Sequence, residues 1–331
     1  MRNMYKFITK QVLSQEESER YTYIYGGSGV NIINDNNEFV YKAVPIIDES
    51  KYNVLRKQYE WLKQNSDIAV EPYGDGILDG DQGRYYYYVM KHYDRYTVSD
   101  LIKKKTESVQ YLAQMIDNII ISLNTRKQND LEFDISSYRN RLITRVNEML
   151  LKDDVKQLFD TFNIIPLLEK YHTIFKSYES MFSKQNLQTC YHGDFTVENM
   201  FVDEGKIRLF DPAFTMHYSS IILDIGKLYQ SLHFCYEEYF DHGIKVNDNV
   251  KNTEKMIVEN IQLFRDVIAK NEYKKQLYDS LIWTDQHKLG LLMEASHYIR
   301  MLPFKFNLGY KQLLKNVIVL KHSLQSCIEE C

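Results

Sequence analysis

Three oxygen-bearing side chains, Asp194, Asn199 and Asp211, stand within residues 191–214 of this 331-residue chain. The last two are separated by apolar runs at 200–202 and 207–210, joined by Asp203-Glu204-Gly205, which predicts a β-hairpin with a glycine-containing turn. A hairpin returns its far end to its start, so Asn199 and Asp211 are expected side by side, with Asp194 one loop upstream. Mg²⁺ prefers octahedral oxygen ligands and keeps several waters. A carboxylate and an amide oxygen therefore suffice when a nucleotide's phosphates supply the rest. Phosphoryl transfer suits such a cluster: its transition state is largely dissociative, and the enzyme must hold metal, phosphate and nucleophile in line while one carboxylate takes the hydroxyl's proton. Asp194 is the candidate for that carboxylate, and Asn199 and Asp211 are the candidate metal ligands.

His192-Gly193-Asp194, then Asn199, a hairpin and Asp211 resembles the pattern of the aminoglycoside phosphotransferase and choline kinase superfamily, small-molecule kinases with a protein-kinase-like fold. Gly193 stands where most protein kinases carry Arg, and Asp-Pro-Ala-Phe at 211–214 replaces their Asp-Phe-Gly. Both departures resemble the small-molecule branch. The resemblance implies a two-lobed α+β fold, with a small antiparallel-sheet N-lobe over residues 1–92 and a larger, mainly helical C-lobe over 93–331. It further implies Mg²⁺, ATP or GTP as donor, and as acceptor a hydroxyl of an amino alcohol, sugar or aminoglycoside. A catalytically weak kinase-fold binding or regulatory module, and a kinase acting on a protein, are the alternatives.

Composition agrees with a soluble chain of one large domain or two lobes: 44% of residues are hydrophobic and 26% charged. Forty-one basic residues against 45 acidic ones give a formal charge of −4, with no long basic run, which argues against nucleic acid or an anionic membrane as partner. The four cysteines lack a metal-type spacing, and the start shows no secretory segment, so reduced thiols and a cytoplasmic location are expected.

The elements that must position the cluster can be read in order. Residues 21–25 and 39–44 form strand-like runs around Gly26, Gly27, Ser28 and Gly29. Glycines there let backbone N–H groups approach phosphates closely, though a plain hairpin turn uses the same residues. Lys42 is a lone cation in an apolar strand, on one face with Val40 and Val44. A buried charge needs a partner; an edge-strand lysine reaching solvent is the other reading. The resemblance makes Lys42 the clamp on the α- and β-phosphates and Gly26 to Gly29 the lid.

Residues 50–64 predict a helix whose apolar face, Val54, Leu55, Trp61 and Leu62, centres near Gln58, with Glu60 nearly opposite. Relatives place a Glu here against the strand lysine. Gln58 departs from that, and a Glu at this position is expected to restore an ion pair with Lys42. Residues 85–90 resemble the last N-lobe strand entering a hinge, where Lys91 and Tyr93 would offer main-chain groups to the adenine edge.

Helical spacing follows at 99–105, 109–124, 138–151, 155–163 and 166–183. Asp224 stands where relatives brace the catalytic loop, and an ordinary helix N-cap is the competing reading. Glu237, Glu238, Asp241 and Asp248 suggest a solvated acidic loop, or a site for a cationic acceptor. Helices at 283–301 and 310–328 close the chain with a break expected at Pro303. His287, His297 and Arg300 could edge a substrate pocket, but single polar residues on a helix usually face water, and they receive no role.

Overall fold

Alternating and helical hydrophobic patterns sort this chain into a sheet followed by helices, and the computed structural model bears out that order. It describes residues 21–25, 31–35, 39–80, 83–93, 96–126, 134–184, 190–213, 220–241, 253–281 and 284–331. Gly26, Gly27, Ser28 and Gly29 lie outside the described residues, as do Asp248 and the first residue of the helix expected at 283. Contacts divide the chain into two compact units, Met1–Asp100 with Glu198–Thr215, and Leu101–Val197 with Met216–Cys331.

The first unit is built on a five-stranded antiparallel sheet in the order β1-β2-β3-β5-β4. Its strands are β1 (Tyr21–Tyr25), β2 (Asn31–Asp35), β3 (Phe39–Pro45), β4 (Pro72–Gly80) and β5 (Gly83–Lys91). Lys42 of β3 lies opposite Tyr88 of β5, and Val40 opposite Met90. Helix α1 (Glu49–Gln64) starts at Asp48, whose carboxylate accepts the Lys51 N–H at 3.1 Å. It buries Leu55, Gln58, Tyr59, Trp61 and Leu62, while Val54 is half-buried and Glu60 exposed. The helix phase expected from sequence is the phase observed.

The hairpin of the same unit pairs β6 (Met200–Asp203) with β7 (Lys206–Leu209), Met200 opposite Leu209. Its two turn residues, Glu204 and Gly205, have φ of 49° and 75°. Two consecutive left-handed residues match the right-handed twist of the flanking strands. The segment before β4 holds the hairpin in place: Leu209 N–H donates to the Ile68 carbonyl and accepts Val70 N–H on its own carbonyl, both at 2.9 Å.

The second unit is helical. Helix α2 (Val98–Lys104) leads into α3 (Val109–Thr125), α4 (Ile135–Met149), α5 (Asp153–Phe162) and α6 (Ile164–Lys184). After the hairpin come α7 (Ile221–Leu232), α8 (Tyr236–Asp241), α9 (Thr253–Lys270), α10 (Glu272–Ser280), α11 (Thr284–Asn307) and α12 (Tyr310–Glu330). Helix α7 is buried at every position but Lys227. Pro303 lies inside α11, and the break falls instead at Gly309, whose φ of 102° suits glycine. A proline this close to a helix end removes one late hydrogen bond, and the burial of Leu302 and Lys305 around it keeps the last turn in place. Among the described residues no helix is long and apolar enough to cross a membrane.

Helix α7 can lie as deep as it does because of two glycines. A Cβ on Gly226 would stand 2.5 Å from Met293 Cβ and 2.9 Å from the Glu294 amide nitrogen of α11. One on Gly290 would stand 2.6 Å from Tyr229 Cε2. Gly226→Ala must push the helices apart, and the expected loss is about 2 kcal/mol or more, read as a lowered midpoint in urea denaturation. Gly74→Ala, where nothing lies within 4 Å, is the matched control and should leave the midpoint close to wild type.

Candidate active site

In the first unit Lys42, Gln58 and Asp211 converge. Lys42 is 4% exposed, and its ammonium pairs with Asp211 Oδ1 at 2.5 Å. Gln58 Nε2 donates to the same oxygen at 3.2 Å and to the Pro212 carbonyl at 2.7 Å. Gln58 Oε1 accepts the Tyr88 hydroxyl at 3.5 Å. Every group of the amide is therefore used, and each in the sense its chemistry allows. The sequence expectation aimed Gln58 at Lys42 itself. The structure sends it to the lysine's counter-ion, because the inward helix position faces the carboxylate and the backbone beyond it.

Asn199 ends a short 3₁₀ turn (Val197–Asn199) and opens β6. The Phe210 N–H donates to the Asn199 carbonyl at 3.2 Å, so the residue before Asp211 is hydrogen-bonded to Asn199 across the base of the hairpin. Asp211 has φ of 57°, a left-handed conformation that costs a non-glycine residue of order 1 kcal/mol and turns the chain sharply as it leaves the strand. At the end of β5, the Lys91 N–H already donates to the Glu71 carbonyl at 3.1 Å, and the Tyr93 ring packs 4.5 Å from that of Phe201.

The second unit holds Asp194. Its carboxylate pairs with the Lys227 ammonium at 3.2 Å, and its side chain is 40% exposed. The preceding turn is fixed by Asp224, fully buried, which accepts His192 N–H at 2.5 Å and Gly193 N–H at 2.8 Å. Ser220 is the cap of α7, its hydroxyl accepting Ile222 N–H, so Asp224 is free to serve the loop. Gly193 has φ of 85°, where a side chain would be strained. Burial pushes the Asp224 carboxyl up to about 7 against the pull of the two backbone donors.

Two contributors escaped the sequence reading. Lys227 is the one residue of an otherwise buried helix that is not buried, three positions after Asp224, a spacing that places both on one side. His297 is buried: its Nε2 bonds the Leu223 carbonyl at 2.8 Å and its Nδ1 the Arg300 guanidinium at 3.0 Å. Burial and the charges of Arg300 and Lys227 keep its ring neutral. His287, likewise buried, bonds Tyr229 and Glu330. The expectation of facing water is corrected for the two histidines, since α11 is enclosed by its neighbours there, while Arg300 is half-buried.

The acidic stretch is corrected at two of its acids, while Asp241 is exposed as expected. Glu237 and Glu238 lie on α8 and pair with the buried Lys274 ammonium at 3.1 and 2.7 Å. They are neither a solvated loop nor an open cation site. Lys274 keeps its charge because the two carboxylates outweigh the effect of burial.

No family model matches the sequence, and comparison with curated proteins gives no match. Solved structures do match. The GDP and kanamycin complex of APH(2")-IIia superposes with a TM-score of 0.58 over 98% of this chain and 98% of that one, at 11% identity. The GDP complex of wild-type aminoglycoside 2'-phosphotransferase-IIIa gives 0.57 over 98% and 97%, also at 11% identity. The chain has the fold of these phosphotransferases, a small antiparallel sheet with a mainly helical remainder.

Asp224 ties pH to stability. The folded protein binds its proton more tightly than the unfolded chain, so Asp224 makes stability fall as pH rises from about 4 to about 7. Asp224→Asn removes this contribution. The difference in urea midpoint between wild type and variant should therefore be larger at pH 5 than at pH 8; a pH-independent difference would contradict the assignment.

Proposed function

We propose that this protein is a Mg²⁺-dependent phosphotransferase that moves the γ-phosphoryl of ATP or GTP to a hydroxyl of a small molecule, acting in the cytoplasm. One observation carries the reading. Buried Lys42 is brought to the carboxylate that closes the hairpin opened by Asn199, in a chain with the fold of aminoglycoside phosphotransferases.

The residues fit the metal. Asp211 spends Oδ1 on Lys42 and Gln58, which orient the carboxylate and leave Oδ2 to ligate, and Asn199 would add an amide oxygen. Among the described residues no group of three or more His, Cys, Asp or Glu could hold an ion, so Mg²⁺ here would complete its shell with phosphate oxygens and water. When bound, the ion neutralises developing charge on the phosphoryl group. Lys42 would release Asp211 and clamp the phosphates, and Gly26, Gly27, Ser28 and Gly29 would cover them. The Lys91 carbonyl and the main chain of Tyr93 would meet the adenine edge.

Asp194 orients the acceptor hydroxyl and takes its proton. The acceptor oxygen forms a bond to the γ-phosphorus as the bond from that phosphorus to the β–γ bridging oxygen breaks, giving a nucleoside diphosphate and a phosphate monoester. The neighbour bound to kanamycin makes aminoglycosides one acceptor class to test.

Asp194→Asn should lower turnover about 100-fold or more while leaving nucleotide affinity within about threefold, measured by steady-state kinetics and by nucleotide titration. Wild-type turnover would remove Asp194 from the chemistry. Gln58→Glu reverses the expectation drawn from sequence: a carboxylate has no proton to give Asp211 or the Pro212 carbonyl. Affinity for Mg²⁺–ATP should fall about tenfold, against less than about threefold for exposed Glu60→Gln. Tighter binding by Gln58→Glu would show that the family ion pair is restored instead.

A further inference from the structure

Helix α7 grips the segment that carries Asp194 at two points. Asp224 accepts the backbone N–H groups of His192 and Gly193, at 2.5 and 2.8 Å, and one turn later the Lys227 ammonium lies 3.2 Å from Asp194 Oδ1. The first contact fixes the course of the backbone, which by itself leaves the χ angles of Asp194 unset. A carboxylate that takes a proton from a hydroxyl must meet it at hydrogen-bond distance, so its rotamer matters as much as its place in the chain. Lys227 reaches the side chain itself.

This pair differs from the ordinary surface ion pairs of the same unit. The lysine side chains of Lys255–Glu259 and Lys275–Asp279 are 71% and 63% exposed, whereas that of Lys227 is 22% exposed, on a helix buried at every other position. Its stem is packed, so few rotamers are open to its ammonium. The charges around it also single out Asp194 as partner. On α11 the groups that feel the Lys227 charge are His297, which burial keeps neutral and which bonds the Leu223 carbonyl and Arg300, and Lys305, itself a cation. The charged groups that α8 and α10 bring to α7, Glu237, Glu238 and Lys274, pair with one another. Asp224 is engaged by its two backbone donors, and its carboxyl is raised by the charge of Asp194 and lowered by that of Lys227. Two carboxylates gripped so close together repel, and the lysine offsets the repulsion.

We propose that Lys227 is a positioning residue for phosphoryl transfer, holding the Asp194 carboxylate ionised and in the orientation that meets the acceptor hydroxyl. This rests on the phosphotransferase reading above. Asp194 takes the hydroxyl's proton, while Lys227 keeps its own and acts only through Asp194.

The grip can be read without turnover, by following the Asp194 carboxyl carbon by NMR as pH is varied; its resonance is the one that Asp194→Asn removes. Lys227→Met, which keeps the stem and the helix propensity, should move the titration to higher pH by about one unit, the low end for an adjacent charge because the Asp194 side chain is 40% exposed. Lys227→Arg should restore it. A titration unchanged by Lys227→Met overturns the proposal. The chemistry is read as phosphate released from ATP and Mg²⁺ with water as acceptor. Here Lys227→Met should lower kcat about tenfold and leave KM for ATP within about threefold. In the Asp194→Asn background the same substitution should cost nothing further, because a group that acts through Asp194 has nothing left to hold. An equal loss in both backgrounds, or a loss confined to KM, would make Lys227 a structural or nucleotide-binding residue and also overturns the proposal. Turnover that is normal in Lys227→Met, beside an unchanged Asp194 titration, removes only the role of Lys227. Wild-type protein that binds no Mg²⁺–ATP and releases no phosphate removes the phosphotransferase reading itself.

Discussion

Asp224 places both oxygens of a fully buried carboxylate on the consecutive N–H groups of His192 and Gly193, and the geometry of the helical unit depends on that clamp. Removing a carboxylate from water is costly unless its hydrogen bonds are replaced. Two short bonds and a position in the first turn of α7, where the helix dipole favours negative charge, offset part of the cost, and burial still raises the carboxyl. The clamp in turn needs α7 held at its depth. Gly226 lets the helix touch α11, and His297 of α11 bonds the carbonyl just before Asp224. With the turn held there, Gly193 takes its left-handed conformation and Asp194 follows, facing Lys227 one helical turn beyond the clamp.

The first unit solves a related problem with opposite charge. A lysine on the covered face of a sheet requires a counter-ion, and Asp211 supplies it. The carboxylate is presented by a left-handed residue, and Gln58 stabilises that strained turn by bonding both the Asp211 carboxylate and the Pro212 carbonyl. A glutamate could accept from Tyr88 but could not donate to the other two. The amide is therefore suited to this chain's own geometry, and its presence does not by itself signal loss of activity.

The local features of this arrangement were legible in the sequence. Two apolar runs around Glu204-Gly205 predict the hairpin, the apolar stripe of α1 turns Gln58 inward and Glu60 outward, and Lys42 stands out against its strand. What escaped depends on contacts between residues far apart in the chain. Glu237 and Glu238 read as solvated until Lys274 is brought to them. His297 reads as a surface residue until α7 covers it, and Gln58 reads as a partner of Lys42 until Asp211 arrives from 153 positions away. Pro303 failed for a different reason: its effect on a helix depends on how near the end it lies and on whether packing holds the final turn.

The most direct test is a mass-shift screen of hydroxyl compounds incubated with the protein, Mg²⁺ and ATP or GTP. At least one compound should gain the mass of a single phosphoryl group, with nucleoside diphosphate formed in equal amount and neither product appearing without Mg²⁺. Nucleotide that binds yet is never consumed, with every compound unchanged, would contradict it and leave a binding module in the place of an enzyme.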